Sequence, residues 1–140
     1  MVEKKEILYS GSCLCGKIIF EIFGGIQDIV YCHYSGCRKV QGSAFTTNGN
    51  VRSECLTFIS GEDELSVFEA TPETKKFCKH CGSPILSKNK SNPEKIRVRL
   101  GTIESDIVER PAAHIFVDSK ANWDKISDDL PQYKTYKPNS

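Results

Sequence analysis

The sequence lacks any long apolar run, and this excludes a membrane-spanning helix. Its longest apolar stretches are only a few residues, far short of the roughly 20 needed to cross a bilayer. Residues 1–12 also lack the apolar core of a secretory signal peptide. We therefore expect a cytoplasmic protein without a membrane partner.

An excess of charge of one sign is also missing. The 140 residues include 19 lysines and arginines against 18 aspartates and glutamates, which gives a formal net charge of +1. Basic and acidic residues alternate along the chain, and no basic stripe is interleaved with aromatic residues. The sequence therefore predicts no nucleic-acid partner.

Stretches with helical periodicity are absent too, whereas short strand-like runs are frequent. Runs rich in β-branched and aromatic residues occupy 17–22, 44–47, 56–60, 65–69 and 96–100. In the last run, alternation places Arg97 and Arg99 on one face, as in a strand with a wet or ligand-facing side. No repeat or linker divides the chain. We expect a mainly β, all-β fold forming one domain over residues 1–140, with a loosely packed or frayed end at about 127–140.

What the sequence does contain is cysteine, seven residues in all. Cys13 and Cys15 form one close pair, and Cys78 and Cys81 form another, each followed by glycine. This spacing lets one tight turn present two sulfurs to a single ion, and four thiolates are a ligand set of structural zinc. We expect these four cysteines to bind one zinc ion.

A disulfide scaffold is the alternative explanation for so many cysteines. The odd number of cysteines, the length of the chain and the absence of a signal peptide count against it. We therefore expect reduced thiols in a reducing compartment.

Cys32 and Cys37 form a second cluster, predicted to lie in a loop and followed directly by Arg38 and Lys39. Neighbouring cations lower the pKa of a thiol, and low-pKa thiolates bind metals or attack electrophiles. Burial, or a redox pair that forms a reversible disulfide, is the alternative.

The cysteine motifs belong to a longer pattern of seven blocks. The blocks are residues 11–17, 31–33, 37–39, 42–43, 77–83, 100–102, and 114–116 with Trp123. In this order they resemble the glutathione-dependent formaldehyde-activating enzyme family, which includes the centromere protein V domain. The resemblance implies a compact, zinc-stabilised β-tent fold of short antiparallel strands, with zinc knuckles that hold a structural ion on Cys13, Cys15, Cys78 and Cys81.

The resemblance also implies a second zinc, held by three cysteines of a Cys-His-Cys-x-x-Cys run where a glutathione thiol engages. Here Cys32 and Cys37 match ligand positions, whereas Tyr34 stands where the middle cysteine is expected. A catalytic zinc has three protein ligands and an open position. The candidates for the missing ligand are His33, Cys55, His80 and His114.

The implied activity is that of a carbon–sulfur lyase, similar to S-(hydroxymethyl)glutathione synthase, acting on glutathione or another small thiol adduct. The alternative is a non-catalytic, zinc-stabilised binding module whose second metal site is lost at Tyr34. The basic candidates for holding the carboxylates of the tripeptide are Arg38, Lys39, Arg97 and Arg99, although exposure on a strand face explains each arginine more simply.

The remaining residues receive simpler interpretations. Cys55 is predicted to be a small buried side chain on a strand, and His80 to be exposed within its knuckle. His114 is interpreted as a strand-end residue, and Trp123 as a core or sheet-covering anchor.

Overall fold

Ten strands and one short α-helix form the framework of the computed structural model, which describes residues 7–138. The strands are β1 Leu8–Ser12, β2 Ile19–Phe23, β3 Gln27–Cys32, β4 Thr46–Arg52, β5 Leu56–Ser60, β6 Leu65–Ala70, β7 Glu73–Cys78, β8 Pro84–Asn89, β9 Asn92–Arg99 and β10 Ala113–Ile115. The helix, α1, spans Ser35–Gln41. Within the part of the chain that is described, no helix has the length and apolar character needed to cross a bilayer.

The strands are arranged in two sheets. The smaller sheet has the order β1-β2-β5, and the larger has the order β10-β3-β4-β9-β8-β7-β6. Every pairing between the named strands is antiparallel except that of β10 with β3, which is parallel. The predicted mainly β fold with antiparallel sheets is therefore confirmed.

The main hydrophobic core joins the two sheets. Phe20 and Ile22 of β2 are fully buried in it, together with Ile85 of β8 and Val98 of β9. Since side chains alternate between the faces of a strand, packing one face of the large sheet here leaves its other face for different residues. We call that other face the outer face.

Strand β3 contributes to both faces. Ile29 packs in the main core, whereas Val30 and Cys32 belong to a second cluster with two residues of β10. Cys37, Phe116 and Tyr133 cover this second cluster. The strand therefore brings Cys32 to the outer face, near the end of the sheet.

The predicted strands agree with the structure to different extents. The run 56–60 coincides with β5, and the run 65–69 lies within β6. The run 17–22 begins too early, because Ile18 closes the turn after the first cysteine pair by accepting a hydrogen bond from the Cys13 N–H. Strands β1, β3, β7 and β8 and helix α1 were not predicted, since β7, for example, contains few apolar residues.

Residues 131–135 lie within the end that the sequence predicted to pack loosely or fray, and they pair with β10. The His114 N–H donates to the Pro131 carbonyl at 2.9 Å, and the Tyr133 N–H donates to the His114 carbonyl at 2.9 Å. The Phe116 N–H donates to the Thr135 carbonyl at 3.1 Å. This segment pairs with β10 because the outer edge of a short strand still has unpaired backbone groups. The predicted end at 139–140 lies outside the described residues.

The interpretation of Trp123 as a core or sheet-covering anchor is wrong. Its side chain is 70% exposed, and it follows a short 3-10 turn, Val117–Ser119, in a region without strands. Ala121, two residues earlier, is the residue of this loop that is buried.

Candidate metal centre and thiol site

The four cysteines of the two close pairs converge on one point. Their Sγ atoms all lie within 4.8 Å of one another. Cys13 Sγ is 3.5 Å from Cys15 Sγ, which is 3.8 Å from Cys78 Sγ. A tetrahedral zinc with Zn–S bonds of about 2.3 Å separates its sulfurs by roughly 3.8 Å. The donor set and its spacing therefore fit a zinc ion.

Two turns from distant parts of the chain build this cluster. The first follows β1, where the Gly16 N–H donates to the Cys13 carbonyl at 3.1 Å. The second connects β7 to β8, where the Gly82 N–H donates to the Cys78 carbonyl at 2.9 Å. The two turns meet because Cys13 and Cys78 are both buried in the main core between the sheets.

Hydrogen bonds stabilise the sulfurs and tie the two turns together. The Ile18 N–H donates to Cys13 Sγ at 3.4 Å, and the His80 N–H donates to Cys78 Sγ at 3.4 Å. Ser83 Oγ accepts from the Leu14 N–H at 2.9 Å and lies 3.3 Å from Cys81 Sγ. Backbone N–H groups aimed at sulfur favour the thiolate form that metal binding requires.

Cys32 and Cys37 form a separate pair on the outer face, with their Sγ atoms 3.1 Å apart. The predicted loop is wrong, because Cys32 is the last residue of β3 and Cys37 lies in α1. The helix ends at Gly42, whose left-handed backbone lets its N–H donate to the Arg38 carbonyl at 2.7 Å.

The two thiols of this pair have opposite electrostatic properties. The hydrogen bond from Cys32, aided by the Thr46 hydroxyl and the charges of Lys75 and Arg99, holds the pKa of Cys37 below its usual value. The Cys37 thiolate and burial in turn raise the pKa of Cys32. A lowered pKa was predicted for both cysteines, and it holds for Cys37 alone.

The simpler prediction that Arg99 lies on an exposed strand face is wrong. Its side chain is only 4% exposed, and its guanidinium donates to Asn48 Oδ1 at 2.9 Å and to Ser87 Oγ at 3.3 Å. Its Nε atom is buried without a hydrogen-bond partner, and no ion pair with a carboxylate is formed by Arg99 within residues 7–138. Burial lowers the pKa of Arg99, whereas the nearby Cys37 thiolate raises it. The site thus contains a buried cation with spare capacity for an anion.

A cavity of about 270 Å³ opens beside this cation. Its lining includes Arg99 and Lys75, together with the apolar side chains of Val40, Phe68 and Phe77. A second cavity of about 210 Å³ is lined by Arg97, Lys95 and Glu73. Strand β9 therefore presents cations to two neighbouring depressions.

A third ligand for a metal at Cys32 and Cys37 is not supplied by the described residues. The only cluster of three or more metal-ligating side chains among them is that of the four paired cysteines. Tyr34 is 49% exposed, and its ring packs edge-on against Phe116 at 5.4 Å. The sulfur separation of 3.1 Å is also shorter than the roughly 3.8 Å of a zinc tetrahedron. The second zinc that the resemblance implied does not fit these residues.

The proposed replacement ligands all have other partners. His33 Nε2 lies 2.8 Å from His114 Nδ1, and His80 Nε2 lies 2.6 Å from a Glu64 carboxylate oxygen. His80 is exposed, as predicted. Cys55 is half-buried against the main core, where it ends a 3-10 turn, Ser53–Cys55, instead of lying on a strand.

Comparison with known proteins decides the family. Residues 8–119 match the family described as glutathione-dependent formaldehyde-activating enzyme. The chain belongs to this family. A crystal structure of a Rhodobacter sphaeroides protein, from structural genomics, is similar at a TM-score of 0.58 and 25% identity, over 73% of this chain and 97% of that chain. No curated protein matches the sequence.

Membership of the formaldehyde-activating family agrees with the cysteine cluster, since the family is zinc-binding in general. All seven cysteines lie within the matched residues 8–119. Residues 131–135, which pair with β10, lie beyond the match. The matched region therefore contains all of the thiols, whereas Tyr133, which packs on the cluster that contains Cys32, lies outside it.

Two buried histidines and an exposed aspartate form a chain of polar contacts in this family member, which the sequence did not predict. His33 contacts His114, and His114 Nε2 lies 2.9 Å from Asp128 Oδ2. His114 is buried in the middle of β10, so its interpretation as a strand-end residue is corrected. The two histidines are 81 positions apart, and no local spacing signals their contact.

Proposed function

We propose that this protein makes and breaks the carbon–sulfur bond of adducts between a small anionic thiol, such as glutathione, and a small carbonyl compound. The observation that carries the proposal is the buried, incompletely bonded Arg99 beside the Cys37 thiol. Arg99 offers a cation to the negatively charged substrate, and Cys37 offers an acceptor for the proton of the substrate thiol.

The cations favour a negatively charged thiol. A buried guanidinium without a carboxylate partner is costly, and an anion that enters the adjoining cavity reduces this cost. Lys75 lines the same cavity, and Arg97 lines the next one along the outer face. A tripeptide with two carboxylates could place one carboxylate against the cations of each cavity.

The chemistry proposed for Cys37 is proton transfer. In the forward direction the Cys37 thiolate takes the proton of the substrate thiol, and the substrate sulfur adds to the carbonyl carbon. The carbonyl oxygen, now an alkoxide, takes the proton back from Cys37, so that the protein is unchanged and the product is a hydroxyalkyl thioether. The reverse sequence releases thiol and carbonyl compound. A lowered pKa suits Cys37 to accept and return a proton near neutral pH.

Zinc has a structural role in this proposal. Cys13, Cys15, Cys78 and Cys81 would hold it, and with all four positions filled by protein the ion supplies folding energy without an open position for substrate. We further propose that residues 1–140 act as one domain and that a reducing cytoplasm keeps the thiols free.

The test measures exchange between glutathione and its formaldehyde adduct by NMR exchange spectroscopy. We expect the wild-type protein to accelerate exchange and Cys37→Ser to lower this acceleration by about 100-fold, since a positioned base contributes factors of that order. Arg99→Met should weaken glutathione binding. Cys55→Ser is the matched control, because Cys55 packs against the main core away from the pair.

Two outcomes would contradict the proposed activity. Glutathione binding without acceleration would leave the non-catalytic binding module, which the misfit of a second zinc favours. If the protein neither binds glutathione nor accelerates the exchange, a thiol substrate is rejected altogether.

A further inference from the structure

Cys32 and Cys37 have the geometry of a dithiol. Their Sγ atoms are 3.1 Å apart, which exceeds the length of a disulfide bond, about 2.05 Å, by about 1 Å. Tyr34, which stands between them in sequence, turns its ring toward Phe116 and leaves the two sulfurs in direct contact. We propose that Cys32 and Cys37 form a reversible disulfide and exchange electrons with small disulfides of the glutathione class.

The two thiols differ in access, and this assigns their roles. Cys32 is 3% exposed at the end of β3, whereas Cys37 is half-buried on α1. A disulfide that arrives from solvent therefore meets Cys37 first. Lys75 and Arg99 stand close enough to Cys37 to act on its charge, and both favour the attacking thiolate.

The local structure allows the sulfurs to close the remaining gap. Helix α1 has seven residues, and none of them is buried. Cys37 packs at the edge of the second cluster and Arg38 donates to the Ser119 carbonyl, and since no residue of the helix is fully buried, a shift of about 1 Å requires only local repacking. Cys32, by contrast, is held by the pairing of β3 with β4 and β10. The helix is thus the element that moves.

The other cysteines do not offer an equivalent pair. Cys13, Cys15, Cys78 and Cys81 form the cluster that fits zinc. Cys55 packs against main-core residues, and the sulfur–sulfur contacts within residues 7–138 do not include it. Oxidation by a small disulfide should therefore begin at Cys37.

The reaction balances with glutathione disulfide as the oxidant. The Cys37 thiolate attacks one of its sulfurs, breaks the disulfide bond and releases one glutathione thiolate. The Cys32 sulfur, after losing its proton to solvent, attacks Cys37 in the mixed disulfide and releases the second glutathione. The protein loses two electrons and two protons, and the oxidant becomes two thiols.

Oxidation would also remove the proton acceptor that the proposed lyase chemistry needs. The redox inference does not rest on that chemistry, because disulfide formation is measured without a carbonyl substrate. The failure of either proposal is therefore visible independently of the other.

The experiment equilibrates the full-length protein with reduced and oxidised glutathione at several ratios. The reaction is quenched with acid, free thiols are alkylated, and each cysteine is assigned by peptide mass spectrometry. We expect a Cys32–Cys37 disulfide to form at ratios where the four knuckle cysteines are still alkylated. Cys32→Ser should instead accumulate a glutathione mixed disulfide on Cys37, since the resolving thiol is gone.

Two controls accompany these variants. Cys37→Ser should form neither species, and Cys55→Ser should behave like the wild type. The initial rate of reaction with glutathione disulfide should be about tenfold higher at Cys37 than at Cys55. The assignment of oxidised and alkylated cysteines in the wild-type protein tests the inference even where a variant folds poorly.

The inference is overturned if Cys37 stays fully alkylated at the most oxidising ratio. It is equally overturned if the knuckle cysteines oxidise at the same ratio as Cys32 and Cys37, because the pair would then have no special reactivity.

Discussion

Burial decides the protonation of His33. The side chain is fully buried, and burial followed by the neighbouring His114 lowers its pKa. With Asp128 ionised, His114 Nε2 donates to it, so His114 Nδ1 accepts from His33 Nε2. His33 Nδ1 is then a buried acceptor without a partner among residues 7–138. The neutral form of His33 completes this chain of hydrogen bonds.

We expect the free energy of unfolding to fall as the pH decreases below about 6.5. The unfolded chain protonates His33 near that pH, whereas the folded chain protonates it only at a lower pH, so protons favour unfolding in this window. The slope contributed by one proton is at most about 1.4 kcal/mol per pH unit. Chemical denaturation between pH 8 and pH 5 measures it.

Variants separate this effect from loss of metal at low pH. His33→Gln should reduce the slope relative to the wild type, while His80→Gln, at an exposed histidine, should retain it. Equal slopes for all three proteins would show that burial of His33 has no titration consequence. Below about pH 4 a further loss is expected from Asp128, whose pKa the hydrogen bond of His114 lowers.

Tyr34 decides the metal content at the residue scale. We expect one zinc per chain for the wild type, held by the four clustered cysteines, because Cys32 and Cys37 have no third ligand among the described residues. Tyr34→Cys restores a third thiol and should raise the content to two. Elemental analysis of protein purified without added metal measures both values. Two zincs in the wild type would contradict the conclusion that a second zinc does not fit Cys32 and Cys37. One zinc in the variant would show that a thiol at position 34 is not enough to create the second site.

At the scale of elements, the junction between β5 and β6 depends on Gly61. Its backbone is left-handed, with φ of 80°, and a Cβ atom would lie 2.0 Å from the carbonyl oxygen of Lys17. Backbone atoms cannot move aside as a flexible side chain can. The turn that precedes the short helix Glu62–Glu64 therefore packs directly against the chain before β2.

We expect Gly61→Ala to lower the free energy of unfolding by about 3 kcal/mol or more, because the clash adds to the cost of a left-handed alanine. Gly42→Ala is the matched control. Gly42 is also left-handed, with φ of 66°, but its Cβ would meet nothing within 4 Å, so it should lose only about 1 kcal/mol. Denaturant unfolding compares the two. Equal losses would show that the contact between a Cβ at position 61 and the Lys17 carbonyl oxygen does not affect the free energy of unfolding.

Strand β9 illustrates what element-level patterns can predict. Alternation correctly placed Ile96 and Val98 in the main core and Arg97 and Arg99 opposite them. It did not predict that Arg99 is buried, because the cover over the outer face comes from elements that are distant in sequence. A strand pattern reports which side chains share a face, and it contains no information on what covers that face.

At the scale of the whole molecule, the C-terminal segment 131–138 reaches across the outer face. Tyr133 packs on the cluster that contains Cys32, and the Tyr136 ring contacts Phe116 at 4.9 Å. The Arg97 guanidinium lies 5.8 Å from the centre of the Tyr136 ring. The segment therefore connects β10, at one edge of the large sheet, to β9 near its middle.

Deletion of residues 131–140 should lower the free energy of unfolding by about 2 kcal/mol or more, since it uncovers apolar surface and frees the edge of β10. Lys134→Ala, at an exposed position of the same segment, is the control and should change little. Urea unfolding measures both. If the deletion and the substitution behave alike, the segment does not stabilise the fold. The alkylation rate of Cys32 should also increase in the deletion variant, because Tyr133 packs against its cluster.

The sequence by itself determined the features that depend on local spacing. The two cysteine pairs and the strand β5 could be predicted because a turn or a strand is specified within a few residues. The tertiary structure alone decided the burial of Arg99, the contact of His33 with His114 and the pairing of residues 131–135 with β10. These features join residues far apart in the chain, and their burial and polarity are set by the packing of distant elements. For the same reason the unequal pKa values of Cys32 and Cys37 could be read only from the folded chain, where the hydrogen bond between the two sulfurs lowers the pKa of Cys37 and, together with burial, raises that of Cys32.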